Sequence, residues 1–382
     1  MIWVQNLLFI SVFILFYTWV AYPAFLLLLQ WKWARPVLPV ESTEQPFVSI
    51  IVPAHNEEEG IGAKLEDCFR LVYPRRLMEI IIVSDGSTDR TEEDVAAFAA
   101  ADSRIRLLRT ERVGKSCAQN NAFEQAKGDV LFFTDVNTRT RPDLLELLVK
   151  NFRDPEVGMV TAKVYFGQHE DAVSNGQGLY WRYELFLRSA ESAIGILATG
   201  SGQALAMRRS LFRPLAPFYG DDCVLPLDVR LQGYRVVQDT QAIVFDTMPH
   251  SIEGELRARV RMTARNWTGT LSRAGLLNPF QFPLTAWALI SHKLLRWLTP
   301  FFLISCFFAN TVLLHRSQFL FLWIMQMIFY VAAFVGWFRT RRARRAWFFA
   351  YPFSFCLANL GFFLGLVKVV RNQKIAAYQQ GN

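Results

Sequence analysis

Cysteine is sparse in this chain. Cys68, Cys117, Cys223, Cys306 and Cys356 are scattered, odd in number and free of any CxxC pair. That spacing argues against a disulfide framework or a zinc site and fits a reducing compartment. Two phosphate-binding signatures are missing as well: no GxGxxG follows the first strand-like run, and no P-loop occurs. A Rossmann dinucleotide site and a Walker-type nucleotide site are thereby excluded. Acidic residues are in the minority, 33 against 41 basic, for a net charge of +8. Such an excess suits nucleic acid, an acidic substrate or anionic lipid, and its location decides between them. Much of it flanks apolar segments and no nucleic-acid module is present, so no nucleic-acid partner is expected.

What the chain has in quantity is apolar surface, with 52% hydrophobic and 14% aromatic residues, above a typical soluble domain. Residues 7–29 carry no charge and are long enough to cross a bilayer core of about 30 Å. A basic start and a small-residue cleavage site are both lacking, so residues 1–35 read as a retained anchor and not a signal peptide. Lys32 and Arg35 follow it and place the next domain in the cytosol. Three more candidate spans occupy residues 298–382, at 298–314, 318–338 and 346–367. Arg339, Arg341, Arg342, Arg344 and Arg345 between the last two belong on the cytosolic side by the same rule. Lys368, Arg371 and Lys374 would then lie outside, a conflict that a re-entrant last segment would remove. Residues 271–297 are expected to form an interfacial segment. Thr285, His292, Arg296 and Thr299 share a helical face, as in an amphipathic helix at headgroup level; the start of a longer spanning helix is the other reading.

Residues 36–46 form a Pro-containing polar linker, and residues 47–270 form the cytosolic domain. Strands are expected at 47–52, 80–83, 104–108 and 130–133, alternating with helices at 58–71, 91–100 and 116–126. Alternation at this spacing means right-handed βαβ crossovers and a mostly parallel sheet, an α/β fold whose ligands bind beyond the carboxyl ends of the strands. Three strands end in polar clusters on that rim: Pro53-Ala54-His55-Asn56-Glu57-Glu58, Ser84-Asp85-Gly86-Ser87-Thr88-Asp89, and Thr134-Asp135-Val136-Asn137-Thr138. Each has a plain local explanation. The Asp85-Gly86-Ser87 turn would look the same if it only capped the next helix.

These segments, with Gly114-Lys115-Ser116, Thr199-Gly200-Ser201-Gly202, Asp221-Asp222-Cys223-Val224-Leu225 and Gly233-Tyr234-Arg235, resemble in order the family 2 glycosyltransferases. The likeness runs from about Val48 to Trp267. It implies the A-type nucleotide-diphospho-sugar fold flanked by transmembrane helices, and the membrane-bound branch near cellulose, hyaluronan and poly-N-acetylglucosamine synthases. It further implies an inverting transferase using a nucleotide-sugar donor, UDP favoured, and a lipid-linked or polysaccharide acceptor at membrane lipids. Ala54, Glu57 and Asp85 match positions that hold the nucleoside, and Lys115 matches a lysine near the diphosphate. Asp135 and Asn137 match the metal motif for Mg²⁺ or Mn²⁺, with Asn137 standing where the family has a second Asp. Asp222 matches the catalytic base, though an Asp at this point also suits a helix cap. Gly200, Ser201 and Gly202 match a loop beside the acceptor, or a plain turn.

The last motif departs most. Polymerising members carry QxxRW, and here Asn266 separates Arg265 from Trp267. Arg261 and Arg265 share a helical face that suits the diphosphate or anionic headgroups equally. Trp267 is either the acceptor-stacking ring or an interfacial one. The departure favours addition of one or a few sugars over processive synthesis. A catalytically inactive nucleotide-sugar sensor or scaffold is the alternative from another class.

Overall fold

Strands sandwiched between helices need apolar residues at nearly every position, and two runs here meet that demand in full. The computed structural model describes residues 1–38, 45–166, 172–247, 251–341 and 347–373. Helix α1 (Ile2–Trp33) passes through a π-helical stretch at Tyr17–Ala21. The domain then alternates β1 (Val48–Ala54), α2 (Ile61–Arg70), β2 (Met78–Asp85), α3 (Thr91–Ala101), β3 (Ile105–Thr110), α4 (Lys115–Gln125) and β4 (Val130–Thr134). It continues with β5 (Arg139–Thr140), α5 (Leu144–Val149), β6 (Val157–Phe166), α6 (Ala172–Ala193), β7 (Ala204–Arg208), α7 (Asp221–Leu231), β8 (Arg235–Asp246) and α8 (Ile252–Ser272). Last come α9 (Pro283–Val312), α10 (Ser317–Arg341) and α11 (Trp347–Val370).

Among the described residues the strands form one sheet in the order β3-β2-β1-β4-β7-β6-β8-β5. β1, β2, β3, β4, β6 and β8 run one way, while β5 and β7 run against them. The mostly parallel α/β sheet expected from the alternation is therefore present. Successive side chains on β1 and β2 point to opposite faces. Ile50, Val52, Ile80 and Ile82 fill one apolar layer, and Ile51, Ile81 and Val83 join Leu131 and Phe133 in the other.

Four helices among the described residues are long and apolar enough to cross a membrane: Ile2–Trp33, Pro283–Val312, Ser317–Arg341 and Phe348–Val370. The interfacial segment expected at residues 271–297 takes a different form. A 3₁₀ turn (Ala274–Leu277) follows α8, and α9 then runs unbroken from Pro283, with a π-helical stretch at Leu289–Leu294. Thr285, His292, Arg296 and Thr299, assigned above to headgroups, are buried. Their partners lie on other elements, which a helical wheel cannot reveal: Arg230 donates to Thr285 Oγ1 at 2.8 Å, Trp19 Nε1 to Thr299 Oγ1 at 3.2 Å, and His292 and Arg296 meet glutamates. Arg341 lies 3.7 Å from Glu253 of α8, so the end of α10 meets the start of that helix. Arg342, Arg344, Arg345 and Lys374, like linker residues 39–44, lie outside the described residues.

Candidate active site

The carboxyl ends of β1, β2 and β4 bring the three polar clusters together. Asn56, at φ +53°, turns the chain out of β1, and its side-chain oxygen accepts from the Thr88 amide at 2.8 Å. Asp89 accepts from the Thr91 amide at 3.0 Å and the Glu58 amide at 3.1 Å, so it does the local turn-closing work. Asp85 serves elsewhere: its buried carboxylate takes the Val113 and Gly114 amides at 2.7 and 2.9 Å. Gly86 (φ +66°) must stay without a Cβ, which would stand 2.9 Å from the Arg112 amide nitrogen. Asp85 thereby holds the loop that delivers Lys115 to the rim.

Lys115 is the hub. Its Nζ lies 2.7 Å from Asp135 Oδ1 and 3.0 Å from Asp221 Oδ2, and it donates to the Gly202 carbonyl at 3.3 Å. Burial alone would lower its pKa, but Asp135 and Asp221 outweigh that and hold it above its ordinary value. Four segments far apart in the chain meet at one ammonium.

The adjacent aspartates of α7 behave oppositely. Asp221 is buried, which pushes its carboxyl up, yet Lys115 and the Gln119 amide at 2.8 Å bring it below the usual range. Asp222 is pushed up by burial and by the Asp221 charge, against Lys293, Lys115 and Arg188. Neither caps α7, and among the described residues no hydrogen bond engages the Asp222 carboxylate. A half-buried carboxylate with a raised pKa and free lone pairs is suited to accept a proton.

A second acidic group faces Asp135. Burial raises Glu57; a hydrogen bond from Asn137 opposes this, while Asp135 and Asp89 add to it. Burial likewise raises Asp246 at the end of β8, with Asp135 adding to the effect. Glu57, Asp135 and Asp246 thus concentrate negative charge, and Asn137 adds an amide oxygen. Among the described residues no three acidic, His or Cys side chains come close enough to hold a metal ion by themselves, but the Asp135 carboxylate and the Asn137 amide are hard oxygen donors of the kind that Mg²⁺ or Mn²⁺ takes together with phosphate oxygens. Beneath the loop, fully buried Lys64 donates to Thr134 Oγ1 at 2.8 Å and the Thr138 carbonyl at 2.9 Å, clamping both ends of Asp135–Asn137.

The Gly200–Gly202 loop borders the cluster. The Gly200 amide donates to the Asp222 carbonyl at 2.9 Å, and a Cβ on Gly200 would stand 2.5 Å from Leu205 Cδ2. Arg265 donates to the Tyr219 carbonyl and to Ser116 Oγ, tying α8 to the start of α4 and to the loop before α7. Arg261 lies one turn earlier on α8, half-buried. Trp267 packs 5.6 Å from Trp297, in an apolar cluster with Phe362 and Leu366. Asn266 is the residue that faces the site: its Oδ1 is 3.4 Å from where a Gly220 Cβ would stand. Ala54 is buried at the end of β1.

Residues 49–215 match the family described as Glycosyl transferase family 2. This stretch is a family 2 glycosyltransferase domain. An N-acetylglucosaminyltransferase of Rhizobium meliloti (strain 1021) is 30% identical over 273 residues, 65% of this chain and 64% of that protein. A poly-β-1,6-N-acetyl-D-glucosamine synthase of Staphylococcus aureus is 24% identical over 59% of this chain and 56% of its own length. The chain therefore spans less than two thirds of these relatives. A solved mannosyltransferase from Pyrobaculum calidifontis, in complex with GDP-Man and Mn²⁺, shares the fold with a TM-score of 0.73 at 21% identity, over 96% of this chain and 99% of that one.

Sequence reasoning did not find Lys64, Gln119, Arg188, Asp246 or Lys293. For Asp246 a signal existed: β8 runs with β1, and the strand-end rule applies to it equally. The others are placed by contacts with strand ends, loops and helices distant in the chain and leave no local mark.

Proposed function

We propose that the chain is a membrane-bound inverting glycosyltransferase that moves a sugar from a nucleotide-sugar donor to a membrane-held or polysaccharide acceptor, with its catalytic domain in the cytosol. The observation that carries this reading is Asp222: a carboxylate with a raised pKa and no hydrogen-bond partner among the described residues, next to the Lys115–Asp135–Asp221 cluster in a family 2 domain. Asp222 accepts the acceptor hydroxyl's proton as that oxygen bonds to C1 of the donor sugar. The bond from C1 to the diphosphate oxygen breaks, and its electron pair leaves with the nucleoside diphosphate.

Ala54, Glu57 and Asp85 hold the nucleoside, and Lys115 offsets charge on the leaving diphosphate. Arg261 and Arg265 support that side, Arg265 by fixing the loop before α7. Asp135 and Asn137 would hold the divalent metal, which supplies further charge neutralisation at the diphosphate. Gly200, Ser201 and Gly202 border the acceptor, with Trp267 farther out. The names of the relatives support an N-acetylhexosamine or hexose as the transferred sugar, and family likeness supports UDP.

A donor screen tests the proposal. Membranes containing the protein are given a panel of UDP- and GDP-sugars, UDP-N-acetylglucosamine first, and products are read by mass. Transfer from at least one donor is expected. Donor binding with no turnover on any acceptor, lipid or saccharide, would refute the transferase in favour of a sensor.

A further inference from the structure

A buried charged chain connects two of the long apolar helices to the acceptor-side loop. On α6, Glu184, Arg188 and Glu191 recur at helical spacing and all are buried. Facing them is the π-helical stretch Leu289–Leu294 of α9, which carries His292. Both ring nitrogens of His292 meet carboxylates: Nδ1 lies 2.7 Å from Glu191 Oε1 and Nε2 3.2 Å from Glu184 Oε2. Arg296, one turn on, donates to Glu184 Oε2 at 2.5 Å, and Tyr22 of α1 donates to Glu191 Oε1 at 2.5 Å. On the domain side Arg188 donates to Glu184 Oε1 at 2.7 Å. One of its terminal nitrogens donates to the Gly200 carbonyl and to Ser201 Oγ, both at 2.9 Å. Gly200 in turn donates to the Asp222 carbonyl. Beside this path Lys293, also in the π-helical stretch, donates to Thr199 Oγ1 at 3.1 Å.

Burying this many charges is a poor way to hold helices together. Desolvation offsets most of the Coulombic gain, and apolar residues of similar volume often serve as well or better. What such a network does supply is a defined position for each group it touches. Its domain end touches the loop beside the base, and its other end lies on α1 and α9. Single-turn π-helical insertions are frequent at functional sites, and the one in α9 turns His292 and Lys293 toward the domain.

We propose that Arg188 and His292 are positioning residues for the acceptor: α9, through His292, Glu184 and Arg188, fixes the Gly200–Ser201 loop and so the place where the attacking hydroxyl meets Asp222. This rests on the transferase reading above. An acceptor admitted between the domain and α9 is thereby aligned by the helix itself, while the donor side, built on Asp85, Lys115 and Asp135, meets that loop only through the Gly202 carbonyl to which Lys115 donates at 3.3 Å.

The test uses the full chain in nanodiscs with Arg188→Lys, His292→Gln and Ser201→Ala. Arg188→Lys keeps the charge beside Glu184 but loses the guanidinium fork that also reaches the loop. Nucleotide binding is measured by calorimetry, transfer by acceptor titration, and donor hydrolysis to water without acceptor. A misplacement of about 1 Å can cost about 100-fold, so kcat/KM for the acceptor is expected to fall about 10- to 100-fold in Arg188→Lys and His292→Gln. Ser201→Ala should show a smaller loss in the same direction. Nucleotide Kd should stay within about twofold, with donor hydrolysis retained, because Lys115 is held by Asp135 and Asp221 and meets the loop only at the Gly202 carbonyl. Donor affinity falling in step with acceptor kinetics, or acceptor kinetics unchanged in Arg188→Lys, overturns the proposal. If His292→Gln lowers the yield of folded protein, Arg188→Lys and Ser201→Ala decide. Wild-type protein inert toward every donor refutes the transferase reading and this inference with it. An active wild type with unaltered variants refutes the inference alone.

Discussion

Replacing Asp222 by Asn separates the base from everything else the site does. The substitution is nearly isosteric, and the carboxylate makes no hydrogen bond among the described residues, so no partner is orphaned. Removing a general base costs about 10²–10⁴-fold in rate, which at 1.36 kcal/mol per tenfold is about 2.7–5.4 kcal/mol of transition-state stabilisation. Stability should move the other way. Burial and Asp221 raise the Asp222 pKa, so its contribution to stability is fully present below its unfolded pKa and is lost as pH rises through the folded one. At neutral pH the ionised group is a net cost, and Asp222→Asn is expected to keep or raise Tm. Asp221, held low by Lys115 and Gln119, contributes stability above its unfolded pKa that is lost as pH falls through its folded one. Asp221→Asn should therefore lower Tm. The wild-type rate should fall on acidification as Asp222 takes up its proton, at a pH above that of an ordinary aspartate. The assay is sugar transfer read by mass, paired with calorimetric nucleotide binding and thermal unfolding. An Asp222→Asn variant with more than about a tenth of wild-type transfer would refute the base assignment.

Asp135→Ala is expected to weaken donor binding and to abolish activity or its metal requirement, and full wild-type turnover in EDTA would refute the metal. Asn137→Asp restores a second charge beside Asp135 and should tighten metal binding; unchanged affinity would mean that this residue faces the sugar. The segment around Arg339 and Arg341 is expected on the same side as the domain, next to Glu253, and labelling of a cysteine placed there from outside intact cells would overturn that orientation. Addition of one or a few sugars is expected, because Trp267 packs against Trp297 and Asn266 faces the site; long polymer under excess donor, shortened by Trp267→Ala, would show that the ring grips product after all.

The elements of the domain's first half and its polar rim are legible in the sequence alone. Ile50–Val52 and Ile80–Val83 are apolar at every position because both faces of their strands are covered, and that demand is local enough to be read in one pass. The polar residues that end β1, β2 and β4 are legible for the same reason: a parallel sheet opens its ligand crevice there. Motif order then assigned Asp135, Asp222 and Lys115 to one site.

Which of these residues meet is set by the packing of distant elements. Lys115, Asp135 and Asp221 are separated by long stretches of chain, and their meeting depends on β7 entering the sheet antiparallel between β4 and β6, a choice of strand order that no local pattern records. The polar stripe of α9 shows the same limit. Helical periodicity groups Thr285, His292, Arg296 and Thr299, but periodicity fixes an angle and not a partner. Glu184 and Glu191, about a hundred residues earlier, turned an expected headgroup-facing surface into a buried charged junction. Side-chain identity sets which contacts are chemically tolerable, and the packing of distant elements selects the ones that form.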